Sequence, residues 1–171
     1  MKRLDLVIGP NGAGKSTFVA LTLAPLLPGS AFVNADEIAR QRWPDDPAAN
    51  SYAAAGIAAD TRAALIEAGR SFIAETVFSH PSKLELIGSA QAAGYTVVVH
   101  AVLIPEDLAV QRLGPLLAAA IATADSASVY DNSRIGGPRI LAQFSAGLLV
   151  GAADWPDWTP AELATRWPSG V

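Results

Sequence analysis

Short apolar runs alternate with longer helical patterns along most of the chain, the signature of a parallel α/β sheet. Strands are expected at residues 4–8, 31–34, 71–75, 95–103 and 126–130. The fourth, YTVVVHAVL, is nearly continuous in apolar residues, as a strand covered on both faces should be. Between the second and third lies an alanine-rich helix over residues 47–68, with Asp46 as N-cap, Pro47 at the first helical position and Gly69 as terminator. A further helix spans residues 81–92 and ends near Gly94. At residues 159–162, TPAE reads as a capping box with proline at the first position, which predicts a short last helix. The tryptophans around it, Trp155, Trp158 and Trp167, are expected to pack that helix onto the body rather than stack a base.

Composition narrows the class without choosing a function. With 171 residues, 51% hydrophobic and 16% charged, the chain is expected to be one folded domain with a full core. A formal net charge of −4 supplies no basic field, so nucleic acid is not an expected partner. The absence of cysteine excludes disulfides and thiolate metal sites and is compatible with the cytosol. MKR leads directly into the first strand, without the pattern of a secretory signal. The long uncharged run at 86–105 contains Gly88, Gln91, Gly94 and His100 and reads as helix end, turn and strand, not as a membrane span. A soluble, cytoplasmic protein is expected.

The chemistry starts at GPNGAGKST, residues 9–17. Gly9, Gly14, Lys15 and Ser16 satisfy G-x-x-x-x-G-K-[ST], with an apolar strand before and a helical pattern, KSTFVALTLA, after. Backbone N–H groups of such a loop converge on anionic oxygens, and the helix dipole behind favours the same charge. Gly9, Pro10, Asn11, Gly12, Ala13, Gly14, Lys15, Ser16 and Thr17 are therefore the expected nucleotide-phosphate site. Lys15 would reach the β- and γ-phosphates and the Ser16 hydroxyl would hold Mg²⁺.

Ligands of open α/β sheets bind beyond the carboxyl ends of the strands. The second strand ends in NADE, the third in ET, the fifth in YDNSR. Asp36 is the candidate base for an acceptor hydroxyl, although it would also serve as N-cap of the helix that follows. Glu75 suits a Mg²⁺-bound water or a substrate hydroxyl, or simply pairs with Arg70 or Lys83. His80 is expected to open the helix after the third strand, and His100 to be a satisfied core residue. Asn132 and Arg134 lie where the adenine would rest. No N-K-x-D guanine motif and no L-S-G-G-Q signature occurs, which points away from GTPases and transporter ATPases towards a small-molecule kinase.

Together VIGPNGAGKSTF, FVNADEIA, FIAETVFSHPSKLELI, AAGYTVVVHAVLIPEDLAVQR and VYDNS resemble the zeta toxin family, over about residues 4–133. More narrowly, they look like its stand-alone bacterial branch of UDP-N-acetylglucosamine kinase-like proteins. The resemblance implies a P-loop kinase sandwich with a five-stranded parallel sheet of order 2-3-1-4-5. It implies ATP with Mg²⁺, phosphorylation of a sugar-nucleotide hydroxyl, and a possible antitoxin partner. On that pattern Asp36 is the base, Glu75 and Thr76 meet the acceptor, and Arg112 is the arginine leading into the lid. Two departures stand out. Val77 occupies the place of the relatives' substrate-touching threonine, and Arg112 runs straight into LGPLLAAAIATADSA where relatives carry a basic lid. Arg112 is the only Lys or Arg between Lys83 and Arg134, so the lid is expected to be shortened or missing. The readings that compete with a kinase are a nucleotide-binding protein with little catalysis and a simple ATPase.

Overall fold

The computed structural model describes residues 1–77, 80–105 and 107–170; Phe78, Ser79 and Glu106, which belong to the resembling segments, lie outside them. Five parallel strands form where the apolar runs place them: β1 (Arg3–Ile8), β2 (Ala31–Asn34), β3 (Phe72–Thr76), β4 (Thr96–Leu103) and β5 (Ser126–Asp131). Their order is 2-3-1-4-5, as the resemblance implies. The sheet has seven strands, however, not five. β6 (Arg139–Ser145) adds antiparallel to β5 across an irregularity at Val129/Tyr130, and β7 (Leu148–Leu149) pairs with β6. Both escape a search for apolar runs because β6, RILAQFS, alternates exposed polar with buried apolar positions at its end and β7 is only two residues long.

The period of two along β1 builds the layers. Leu4, Leu6 and Ile8 face the larger core, with Phe72, Val99, Ile87, Leu117 and Ile121. Val7 faces the opposite side, where Phe18, Val19, Leu23, Ile73 and Val102 gather under the helix that follows the loop. On one side this brings together α3 (Ser51–Glu67), α4 (Ser82–Ala92), α5 (Asp107–Thr123) and α6 (Ala161–Arg166), and on the other α1 (Lys15–Phe18). α2 (Ala35–Arg42) follows β2 directly and packs on α3.

Three helix expectations need correction. The α1 helix does not run on uniformly: it widens to a π-turn at Val19–Leu23 and tightens to a 3-10 turn at Ala24–Leu26. The alanine-rich helix begins at Ser51, four residues after Pro47, because the Asp46 carboxylate accepts from Ala49 N at 3.1 Å and holds a separate turn. Its end is as expected, with Gly69 at φ 65° and Arg70 N donating to Leu65 O. At α6 the capping box does not form: Pro160 is extended at ψ 130° and the buried Thr159 hydroxyl has no partner among the described residues. The tryptophans do pack. Trp155 Nε1 donates to Trp167 O at 2.6 Å, and the Trp167 ring lies 4.8 Å from that of Phe144.

His100 is satisfied in the core, its Nε2 2.9 Å from Asp5 Oδ1. His80 accepts from Ser82 N at 3.2 Å and opens α4. No helix among the described residues is long and apolar enough to cross a membrane.

Candidate phosphoryl-transfer site

The loop leaves β1 at Gly9 and enters α1 at Gly14. A Cβ on Gly9 would lie 2.1 Å from the Val102 carbonyl oxygen, so only glycine lets the loop pass this close to β4. Gly14 has φ 77°, in the left-handed region, and a Cβ there would meet Asn132 Nδ2 at 2.6 Å. That amide donates to Ala13 O at 2.8 Å, so Asn132, just past β5, braces the loop from outside.

Lys15 opens α1, with its side chain expected to face ligand. It is only 7% exposed, its accessible part facing the cavity of the loop. Its Nζ donates to Pro10 O at 2.9 Å and stands 3.9 Å from Glu75 Oε1. Burial lowers its pKa, opposed by the charges of Glu75 and Asp36. The amine is thus held within the loop's own curve, with too few partners for its three protons, as suits a group that takes up phosphate oxygens.

Glu75, at the end of β3, is a hub and pairs with neither Arg70 nor Lys83. Its Oε2 accepts from Ser16 Oγ at 2.8 Å and from Asn34 Nδ2 at 2.9 Å. Parallel register sets this up, because Asn34 of β2 lies directly opposite Glu75. The other end of the same Asn34 side chain caps α2, its Oδ1 accepting from Asp36 N at 2.8 Å and Glu37 N at 3.3 Å. Asp36 is therefore not the cap. Its carboxylate has no hydrogen-bond donor among the described residues.

Two cavities meet at these side chains. One, of ≈ 340 Å³, is bounded by the loop from Asn11 to Thr17 with Asp36, Arg40 and Glu75. The other, of ≈ 220 Å³, lies beside Asn34, Asp36, Glu75, Thr76 and Val77 and is closed by Arg62 of α3 and Lys83 of α4. Lys15, Asp36 and Glu75 line both. Of the expected site residues, two stand apart: Arg112 is exposed on α5 and lines neither cavity, and Arg134 is exposed in the loop after β5. α5 continues unbroken through Arg112 and past Pro115 to Thr123, and β5 begins at Ser126.

Sequence reasoning missed Arg62, Arg40 and the double use of Asn34. Arg62 had left a signal: the buried positions of α3 are Ala54, Ala58 and Arg62, spaced by four, so a charge ends a stripe of small residues. The hard oxygen donors at Ser16 and Glu75 suit Mg²⁺ shared with phosphates, and the glycine-lined loop leaves room for them.

Comparison with known proteins identifies the family and the fold. The zeta toxin family model matches residues 2–114. Among solved structures, one from the PezAT chromosomal toxin–antitoxin system of Streptococcus pneumoniae aligns at TM-score 0.65 and 15% identity, covering 85% of this chain and 75% of that one. The AvrRxo1-ORF1:-ORF2 complex with ATP aligns at TM-score 0.67 and 11% identity, over 99% of this chain. This chain spans 64% of the length of that relative. A putative kinase from Chloroflexus aurantiacus aligns at TM-score 0.51 and 22% identity, covering 68% of each chain. No curated protein matches the sequence. At these identities the solved structures speak for the fold, and the family match covers the loop, Asp36, Glu75 and Arg112: the chain belongs to the zeta toxin family of P-loop phosphotransferases.

Proposed function

We propose that this protein transfers the γ-phosphoryl group of ATP to a hydroxyl of a small acceptor. The observation that carries the reading is the meeting of two cavities at Lys15, Asp36 and Glu75, one walled by the phosphate loop and one not. A donor phosphate on the loop and an acceptor in the second cavity would then face each other across the same three side chains. When bound, ATP with Mg²⁺ supplies the transferable group and part of the charge neutralisation.

The residues divide the remaining work. Loop N–H groups and Lys15 hold the phosphates, and Lys15 leaves Pro10 O to do so. The Ser16 hydroxyl, positioned by Glu75, would hold Mg²⁺ on the protein's side. Asp36, whose carboxylate is not used in capping, takes the proton from the acceptor hydroxyl as the acceptor oxygen bonds to the γ-phosphorus and the bond from that phosphorus to ADP breaks. Glu75 and Thr76 orient the acceptor, while Asn132 and Arg134 flank the adenine. A UDP-amino sugar is the acceptor that family membership suggests, and an antitoxin is the suggested protein partner, in the cytoplasm where ATP is found.

A second reading, ATP binding with feeble catalysis, is favoured by one specific observation. Arg112, the only Lys or Arg between Lys83 and Arg134, lines neither cavity at Lys15. The single-domain reading with a shortened lid after Arg112 belongs with it. Measuring phosphate release from ATP with and without UDP-sugars separates the readings. Acceptor-dependent consumption of ATP supports the kinase, acceptor-independent release a simple ATPase, and tight binding without turnover the binding protein.

A further inference from the structure

Gly56 lies inside α3 and Gly88 inside α4, both exposed. Glycine inside a helix costs about 1 kcal/mol relative to alanine. Nothing within this chain calls for it, because a Cβ at either position would meet no atom within 4 Å. On α3, Gly56 continues at helical spacing into Ala59 and Ala63, which are exposed too. Ala59 and Ala63 face a groove of ≈ 450 Å³ between α3 and α4, on the outer surface of the molecule. Such a stripe of small residues alone would be an ordinary solvated helix face, but the charges beside it are not ordinary. Arg62 is only 9% exposed, lines the groove, and has neither an ion pair nor a hydrogen-bond acceptor among the described residues. An arginine so buried is usually paired, because an isolated interior charge is costly. Lys83, Glu67 and Glu85 line the same groove, and none of them forms an ion pair among the described residues. Two cations and two carboxylates thus share one groove without pairing inside the chain.

We infer that the α3–α4 groove is a homodimer interface, in which Arg62 and Lys83 of each copy meet Glu67 and Glu85 of the other. A surface that carries both signs in balance is self-complementary across a two-fold axis, cation to carboxylate in both directions. The formal net charge of −4 opposes association of two copies elsewhere on the surface, whereas this groove adds no repulsion. In an antiparallel crossing of two α3 helices with Ala63 nearest the axis, Arg62 of one copy comes within reach of Glu67 of the other. Ala59 and Ala63 let the helix axes approach closely there, and Gly56 and Gly88 leave the backbones open on either side. Arg62 has five N–H donors, so it can take a carboxylate across the groove and still face the acceptor cavity, which it also lines. The second copy thereby holds a side chain that walls that cavity.

The test is sedimentation equilibrium of the full chain over a range of protein and salt concentrations. The wild type should dimerise, and more weakly as salt rises. Ala59→Arg puts a long side chain where the helices approach, and Glu67→Arg/Glu85→Arg turns both carboxylates into charges that repel Arg62 and Lys83 of the other copy. All three positions are exposed and lie outside the two cavities at Lys15, so the fold should survive, which circular dichroism checks. Each variant should weaken dimerisation by about tenfold or more. Equal association in the wild type and both variants overturns the inference. So does a wild type that stays monomeric, with no association tighter than about 1 mM, even where a different polypeptide occupies the groove.

Discussion

At the scale of single residues, Asn34 explains how one side chain separates structure from chemistry. By capping α2 and holding Glu75 it leaves the Asp36 carboxylate uncommitted. Asp36→Asn should thus keep the fold and near-normal ATP affinity while lowering acceptor phosphorylation by about 10²–10⁴-fold, the effect of a lost general base. Calorimetry for ATP beside a coupled kinase assay checks this; equal losses in both would assign Asp36 to binding. Lys15→Ala removes the amine now resting on Pro10 O and should abolish ATP binding or turnover without unfolding the chain. Unchanged ATP affinity in that variant would refute the phosphate assignment.

At the scale of elements, β1 carries both the loop and a buried charge network. Asp5 accepts from Arg3 Nε at 2.7 Å and lies against His100 of β4, whose Nδ1 is 3.5 Å from the Tyr130 hydroxyl. Burial alone would raise the Asp5 carboxyl, but hydrogen bonds to His100 and Arg3 outweigh it and hold the group below the ordinary aspartate value. A folded pKa below the unfolded one contributes stability that is complete above about pH 4 and lost as pH falls through the folded value. Urea unfolding from neutral pH downwards should show stability dropping below about pH 4, and Asp5→Asn should flatten part of that drop. The same slope in wild type and variant would exclude Asp5 as its source. The junction of β1 and the loop is equally specific. Gly9→Ala drives a Cβ into the Val102 carbonyl, so backbone must shift, at a cost of about 1–3 kcal/mol or more in a denaturant titration.

At the scale of the whole molecule, the described cations that line the two cavities, Lys15, Arg40, Arg62 and Lys83, come from the loop, α2, α3 and α4. Phosphoryl transfer spreads charge over the γ-phosphate oxygens, and each preorganised cation there contributes to rate. The chain should accordingly bind ATP, and Arg112→Ala, at an exposed position that lines neither cavity, should change acceptor phosphorylation little. A large loss of phosphorylation in Arg112→Ala, measured in a coupled kinase assay, would bring Arg112 back to the reacting phosphate.

The sequence by itself determined what depends on local pattern. Apolar runs located the five parallel strands, and the glycine spacing of residues 9–17 located the phosphate loop, because backbone conformation and alternation are short-range properties. Motif order was enough to expect Asp36, Glu75 and the 2-3-1-4-5 arrangement through family resemblance. Tertiary structure decided what depends on distance between remote segments. Only strand register sets Asn34 opposite Glu75 and thereby frees Asp36 from capping. Likewise, only the packing of α3 and α4 beside β3 turns Arg62 and Lys83, 21 residues apart in the chain, into walls of one cavity. The half-exposed strand β6 was hidden for the same reason: its partner, β5, supplies the hydrogen bonds that its own mixed pattern does not announce.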